Sequence, residues 1–584
     1  MTQTSLENKE NLAKWEVGQS RPHVSCSRPT RQQSIGGQIV MNKKLVALLS
    51  TATIISSVLT GCGPQAAQPA AGDQQQQQAD KASSPKVLRT NSTAEPPSLD
   101  PALITDTTGG TVARALFDGL TRTGLDEKPH ESVAEKIDVS PDGLKYTFHL
   151  RDSKWSNGDP VTAHDFEFAW KRALDPKTAS DYSYQLFYIK NAEKANNGEV
   201  GFDQVGVKAL DDKTLEVTLE NPTPFFLELT GFYTYYPVNK KLVESNPNWA
   251  NEAATFVGNG PFTMETWEHK AKIVMKKNEN YWDKDAVKLD GIEISMVEDE
   301  NTELAMFEND ELDLVGEPMG GVPLDAVKAL QEAGTLQIKP TAGTYYYVFN
   351  TDKAPFNNIK IRKAFTYALD RKTITENVSQ AGELPAMGFI PPTMAVHEGD
   401  YFKDNDVDQA KKLLDEGMKE LGITKLPEIT LMYNTSEGHK KIAEAVQDMW
   451  KRNLGVEVKI VNQEWKVFLE TRDQGNFQIA RAGWSGDFND PINFLELFKE
   501  KNGGNNNTFW ENKQFADLLT QSGKEQDPAK RKQLLAQAEK IFMDEMPVAP
   551  VYYYTDMWVQ NPKVKDILHD SLSFQDFKWA DITE

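Results

Sequence analysis

Two thiols, eight imidazoles and 86 carboxylates are the groups in this chain of 584 residues that could carry chemistry. Cys26 and Cys62 both precede the region patterned to fold, so that region has no disulfide, no thiol nucleophile and no cysteine metal site. The histidines are scattered, and no two stand at His-x-x-x-His spacing. No Gly-x-Ser-x-Gly nucleophile turn and no phosphate loop occurs. Gly258-Asn259-Gly260 is glycine-rich, but Pro261 follows and makes it a turn. Glu464 and Glu470 could be drawn as the acid and base of a glycosidase, yet among 86 acidic residues some such pair is inevitable. Asp487 is the last candidate. It ends Ser485-Gly486-Asp487, which is turn chemistry, so its neighbours alone make it a turn residue. The pattern favours binding over turnover and calls for no cofactor and no metal.

Around these groups the chain is large enough for two or three domains. A hydrophobic fraction of 39% with 26% charged residues fits a globular body. The net charge of -22 argues against a nucleic-acid partner, whose phosphates need Lys and Arg.

Alternation marks half-buried strands at 144–150, with Leu144, Tyr146, Phe148 and Leu150 on one side, and at 214–219. Further strands are predicted at 271–277, 292–297, 344–349, 428–433, 456–461 and 477–482. Helical spacing predicts helices over 164–174, 408–421, 441–453 and 528–544, the first stopped by Pro176 and the third by Gly455. Strands mixed with helices imply an α/β chain of two or more lobes. Aromatic residues gather at strand ends, among them Tyr345, Tyr346, Tyr347, Trp465, Trp484, Tyr552, Tyr553 and Tyr554. Most should pack in the core, and some could line a cleft.

The N-terminal region reads as an address. From Met41 the sequence is MNKKLVALLSTATIISSVLTGC: a basic start, an apolar run too short to span a bilayer comfortably, then Leu59-Thr60-Gly61-Cys62. This resembles a bacterial lipoprotein signal at 41–61, with Cys62 as the lipidated residue. Residues 1–40 are polar and precede a start that Met41 supplies better. Gly36-Gly37 can be encoded as a ribosome-binding site three codons upstream, so 1–40 is expected to be a non-native extension. Residues 62–86, rich in Ala, Gln, Pro and Ser, read as a flexible tether. An acidic body on such a tether is expected to sit at a membrane through buried hydrocarbon rather than charge.

Residues 134–176 read AEKIDVSPDGLKYTFHLRDSKWSNGDPVTAHDFEFAWKRALDP. This stretch resembles the signature of the family 5 solute-binding proteins of ABC importers. The resemblance continues through 206–226, NGPFTMETW at 259–267, 350–371, 461–495 and PVAPVYYY at 547–554. It covers about 87–584, and its last stretches look closest to oligopeptide-binding members.

The resemblance implies an α/β, two-lobed, periplasmic-binding-protein-like fold (type II, cluster C) with an extra domain inserted in the first lobe. Lobe I is expected at 87–107, 233–337 and 553–584, the inserted domain II at 108–232 and lobe III at 338–552. It also implies a monomer that closes on short peptides and presents them to a membrane permease. Strand backbones would hold the peptide, giving affinity without sequence preference. Asp487 falls where relatives place a carboxylate for the peptide ammonium, with Ser485-Gly486 before it where Cys-Ala is common. Glu95 and Pro96 match lobe I backbone contacts, and Gly483, Trp484 and Ser485 the facing strand. Arg481, His439 and Lys353 match cations for the peptide carboxylate. Trp465 and Tyr184 look like pocket walls, and Asn259 like a polar liner. Other cargoes on the same fold would be a signalling peptide, a murein peptide or a metal chelate, the last disfavoured by Asp487. A surface hydrolase is the reading from another class, and the missing catalytic motifs disfavour it.

Overall fold

A computed structural model describes residues 84–583. The expected extension, signal, lipidated Cys62 and nearly all of the tether lie outside the described residues. At the tether's end, Lys86 is already held: its amide donates to Asp290 and its ammonium meets Asp581 at 2.5 Å.

One mixed sheet of 11 strands organises the body. In spatial order it runs Val458–Gln463, Ile429–Asn434, Ile479–Ser485, Leu336–Phe349, Val548–Gln560, Leu314–Gly316, Val87–Asn91, Gly291–Ser295, Lys272–Lys277 and Phe262–Glu268, with Leu384–Pro385 added on Val548–Gln560. Two neighbouring strands are far longer than the rest, Leu336–Phe349 with 14 residues and Val548–Gln560 with 13. Their antiparallel register changes midway. Leu336–Pro340 pair with Thr555–Val559 and Thr344–Val348 with Val548–Tyr553, with one slip between Pro340 and Thr344 and a second between Tyr345 and Tyr346. An irregularity there bends both strands at one level. Beyond it on one side the sheet continues through the strands around Val87–Asn91, and on the other through those around Ile479–Ser485. The molecule therefore has two lobes joined by a pair of continuous strands.

Between Val87–Asn91 and Phe262–Glu268 the chain makes a separate antiparallel sheet, Ala134–Val139, Lys145–Leu150, Thr214–Thr218 and Val207–Asp211. Tyr146, Phe148 and Leu150 alternate inward as the sequence requires. Helix Ala163–Leu174 packs on this sheet. Asp165 accepts from the Thr162 amide at 2.9 Å, a capping box at its first turn.

The predicted helices are present as Ala163–Leu174, Val407–Glu420, Glu437–Leu454 and Pro528–Glu545, the third beginning four residues before the predicted start. The pattern missed the strands Val87–Asn91, Ala134–Val139, Val207–Asp211, Phe262–Glu268 and Leu314–Gly316, and it misled most at the two crossing strands. The strand predicted at 344–349 begins at Leu336, and Val548–Gln560 was not predicted at all. Both are covered on two faces near the crossing: Tyr345 and Tyr347 are fully buried and Tyr346 nearly so. Strands buried on both faces lose the alternation that identifies them. The strands predicted at 456–461 and 477–482 both start two residues later, at Val458–Gln463 and Ile479–Ser485. No helix of the described residues is long and apolar enough to cross a membrane.

Candidate ligand-binding cleft

Strand Ile479–Ser485 is fully paired on one edge only. Leu336–Phe349 matches it residue for residue, from Phe349 opposite Ile479 to Gly343 opposite Ser485. On the other edge Ile429–Asn434 reaches only Ile479 and Ala480. From Arg481 to Ser485 that edge has no strand partner among the described residues. Backbone groups on such an edge seek an extended chain. The Gly486 amide then donates to the Ala342 carbonyl at 2.9 Å, which turns the chain and delivers Asp487.

Asp487 is 7% exposed. Gln185 Nε2 donates to its Oδ2 at 2.7 Å and Asn493 Nδ2 at 3.2 Å. No lysine, arginine or histidine pairs with it among the described residues. Burial pushes its carboxyl well above the ordinary range. Hydrogen bonds from Asn493, Tyr182 and Gln185 oppose that rise, and the Glu496 charge adds to it. A buried carboxylate with amide donors on one oxygen and no counter-charge suits a cation. The aromatic wall beside it stacks Trp484 on Tyr182 and Tyr182 on Tyr184, with centroids 6.1 and 5.7 Å apart.

Arg481 has the complementary arrangement. Its Nη2 donates to the Tyr554 hydroxyl at 2.7 Å, and its guanidinium stands 4.9 Å from the Tyr345 ring centre. Its Nε is buried without a partner, and no carboxylate pairs with it among the described residues. It faces a cavity of about 360 Å³ between the lobes. Glu95, Glu300, Trp465, His439, Ser436 and Tyr554 are among the residues around that space.

Glu95, Arg481, His439 and Trp465 are thus brought together at one cleft, whereas Gly483, Trp484, Ser485 and Asp487 continue the strand that carries Arg481 without lining either cavity, and Pro96 is buried beside Glu95. Glu95 is held by the Trp267 indole at 2.9 Å and His269 at 2.6 Å. Tyr184 lines a different cavity, of about 890 Å³, between the inserted sheet's loops and the second lobe, and its hydroxyl accepts from Asn505.

Three expected site residues fall otherwise. Asn259 is 1% exposed and lines neither cavity. Its amide exchanges two bonds with the Asp118 backbone, at 3.0 and 2.9 Å, so it fixes a turn. Lys353 also lines neither cavity; its ammonium is taken by the Gly475 carbonyl. His439 does line the cleft, but burial and the nearby Arg481 charge push its pKa well below the usual value. It is neutral there, and Arg481 is the cation. The sequence reading missed Gln185, Asn493 and Tyr554. Gln185 is 302 positions from Asp487 and Tyr554 is 73 from Arg481, and no local pattern joins such pairs.

The comparisons agree with this architecture. Residues 128–506 match the family described as bacterial extracellular solute-binding proteins, family 5 middle. The oligopeptide-binding protein OppA of Bacillus subtilis is 51% identical over 535 residues, 90% of this chain and 97% of that protein. The crystal structure of Haemophilus influenzae OppA in complex with the peptide RPPGFSPFR superposes with a TM-score of 0.82 at 31% identity, over 86% of this chain and 99% of that one. The unliganded open form of the murein tripeptide-binding protein MppA, 33% identical, superposes at 0.59 over 85% of this chain and 97% of its own. The lobes here are therefore disposed more as in the peptide complex than as in the open form. The chain belongs to the family 5 bacterial extracellular solute-binding proteins.

Proposed function

We propose that the protein captures short oligopeptides in the cleft between its lobes and delivers them to the membrane permease of an ABC importer. The observation that carries this reading is the edge of Ile479–Ser485 that lacks a strand partner from Arg481 onward, bounded by Arg481 and Asp487, neither of which has a counter-charge among the described residues. Six residues of extended chain span at most about 20 Å. A peptide lying antiparallel on that edge would give its ammonium to Asp487 and its carboxylate to Arg481, with its backbone on the strand. Such contacts are common to all peptides, so side chains are left free to vary. The OppA relatives, named for binding oligopeptides, support the same cargo.

The protein acts without turnover, as a monomer, held outside the cytoplasm at a Gram-positive cell surface by a lipid on Cys62. Lobe I comprises 87–107, 233–337 and 553–584, domain II 108–232 and lobe III 338–552. The permease would recognise the closed form, which the ligand must prefer over the open one.

Calorimetry with trialanine to pentaalanine, repeated with N-acetylated peptides and with Asp487→Ala, tests the reading. Free peptides should bind, and acetylation and the substitution should each cost about 3 kcal/mol or more. Equal binding of free and acetylated peptides, or no binding, would overturn it.

A further inference from the structure

Among the bonds that cross from lobe to lobe, two stand beside the 360 Å³ cavity, and each lands on the N-terminus of a helix. The Trp465 indole donates to Asp106 Oδ2 at 2.7 Å, while Asp106 Oδ1 caps helix Thr107–Leu116 by accepting from the Gly109 amide at 2.9 Å. Reciprocally, Ser436 caps helix Glu437–Leu454 by accepting from the His439 amide at 3.2 Å, and its hydroxyl donates to Glu300 Oε1 at 2.7 Å. Asp106 and Glu300 follow strands on the Val87–Asn91 side of the sheet. Ser436 and Trp465 follow strands on the Ile479–Ser485 side. Both carboxylates are more than nine-tenths buried, at 8% and 6% exposure, and neither has a cation partner among the described residues. Thr107, Glu300, Ser436 and Trp465 all line the 360 Å³ cavity.

We infer that Asp106–Trp465 and Glu300–Ser436 form a double latch that holds the closed form and sets how long a ligand stays. The inference rests on the reading of this cleft as a closing ligand site. Both bonds break when the lobes part, whereas both helix caps survive because each cap is made within one lobe. Opening returns two carboxylates to water, so each bond opposes it only modestly. A ligand that expels water from the cavity strengthens both bonds in the same act. Asp106, Trp465, Glu300 and Ser436 are thus positioning residues, since they act through closure even where they touch no ligand.

Two substitutions separate the latch from the caps. Asp106→Asn keeps an oxygen for Gly109 and turns an amide donor toward the Trp465 indole, which also donates. Ser436→Gly removes the hydroxyl but leaves a residue that caps a helix almost as well. In stopped-flow binding of pentaalanine, each should raise the dissociation rate about tenfold and the double variant more than either, with the association rate and the melting temperature little changed. Dissociation at the wild-type rate, or a slower association that accounts for the whole loss, would overturn the latch. X-ray scattering from the peptide-free protein gives a reading that does not depend on the cargo. A larger radius of gyration in both variants supports the latch, and an unchanged radius in both overturns it. If wild-type protein binds no alanine peptide, the proposed cargo fails, and the scattering comparison still decides the latch.

Discussion

Asn493 grips Asp487 from two directions. Its Oδ1 accepts from the Asp487 amide at 3.0 Å, and its Nδ2 donates to Asp487 Oδ2 at 3.2 Å. The same Oδ1 accepts from the Trp484 indole at 3.0 Å, so one buried amide fixes both the carboxylate and the aromatic wall beside it. Asn493→Ala would leave the indole and the Asp487 amide without an acceptor. Peptide affinity should fall by about 1–3 kcal/mol. Calorimetry with pentaalanine measures the loss, and the Trp484 emission should shift with it.

Asp487 also predicts a pH dependence of binding. In the ligand-free closed form burial raises the pKa of its carboxyl well above the ordinary value, so the protonated form persists to higher pH than in an exposed aspartate. A peptide ammonium stabilises the ionised form, so wherever the carboxyl is protonated binding releases that proton. Affinity should rise with pH as the release becomes easier, then fall as the peptide's own amino group deprotonates near pH 8. Calorimetry in buffers of different ionisation enthalpy reads the proton directly. Asp487→Asn should abolish the release.

How much of this was legible before the structure can be traced through single residues. Helices such as Pro528–Glu545 were readable because a proline start and a 3.6-residue period are local signals. Strand Lys145–Leu150 was readable because only one of its faces is buried. Val548–Gln560 was not, because Val548, Ala549 and Val551 are all fully buried and leave no alternation. At the site, the family resemblance singled out Asp487 and Arg481, while Asp487's own neighbours argued for a turn. The groups that tune them, Gln185 and Tyr554, were invisible because only the lobe packing brings them near. Asn259 and Lys353 misled for the converse reason, since a polar residue in the right segment can spend its bonds on backbone.

Glu303 predicts a pH dependence of stability. It is fully buried and accepts from the Gly316 and Gly321 amides at 3.3 and 3.2 Å. Burial pushes its pKa up to about 8. In the unfolded chain the same carboxyl titrates near 4.3, so between about pH 4 and 8 the folded state holds a proton that the unfolded state has lost. Stability from this group therefore falls as pH rises through that window. Glu303→Gln does not titrate, so the melting-temperature advantage of the wild type over the variant should shrink from pH 5 to about pH 8 and level off above it. A constant difference would mean the carboxyl is ionised throughout.

Gly483 predicts a coupling with Tyr554 at the other end of the cleft. A Cβ on Gly483 would stand 2.0 Å from the Tyr554 hydroxyl oxygen and 3.0 Å from its Cζ, so Gly483→Ala must push the ring away. Arg481 then loses the hydroxyl that receives its Nη2. Tyr554→Phe removes the same bond but relieves the closest contact, since the ring atoms remain at tight yet tolerable distance. The alanine should cost peptide affinity by about 2 kcal/mol, and the phenylalanine by about 1 kcal/mol. Combined, they should cost clearly less than their sum, because the phenylalanine takes away the atom that the alanine strikes. Calorimetry with pentaalanine and its C-terminal amide closes the cycle. The preference for the free carboxylate should weaken in Gly483→Ala and persist in Tyr554→Phe, where the Arg481 guanidinium keeps its place over Tyr345.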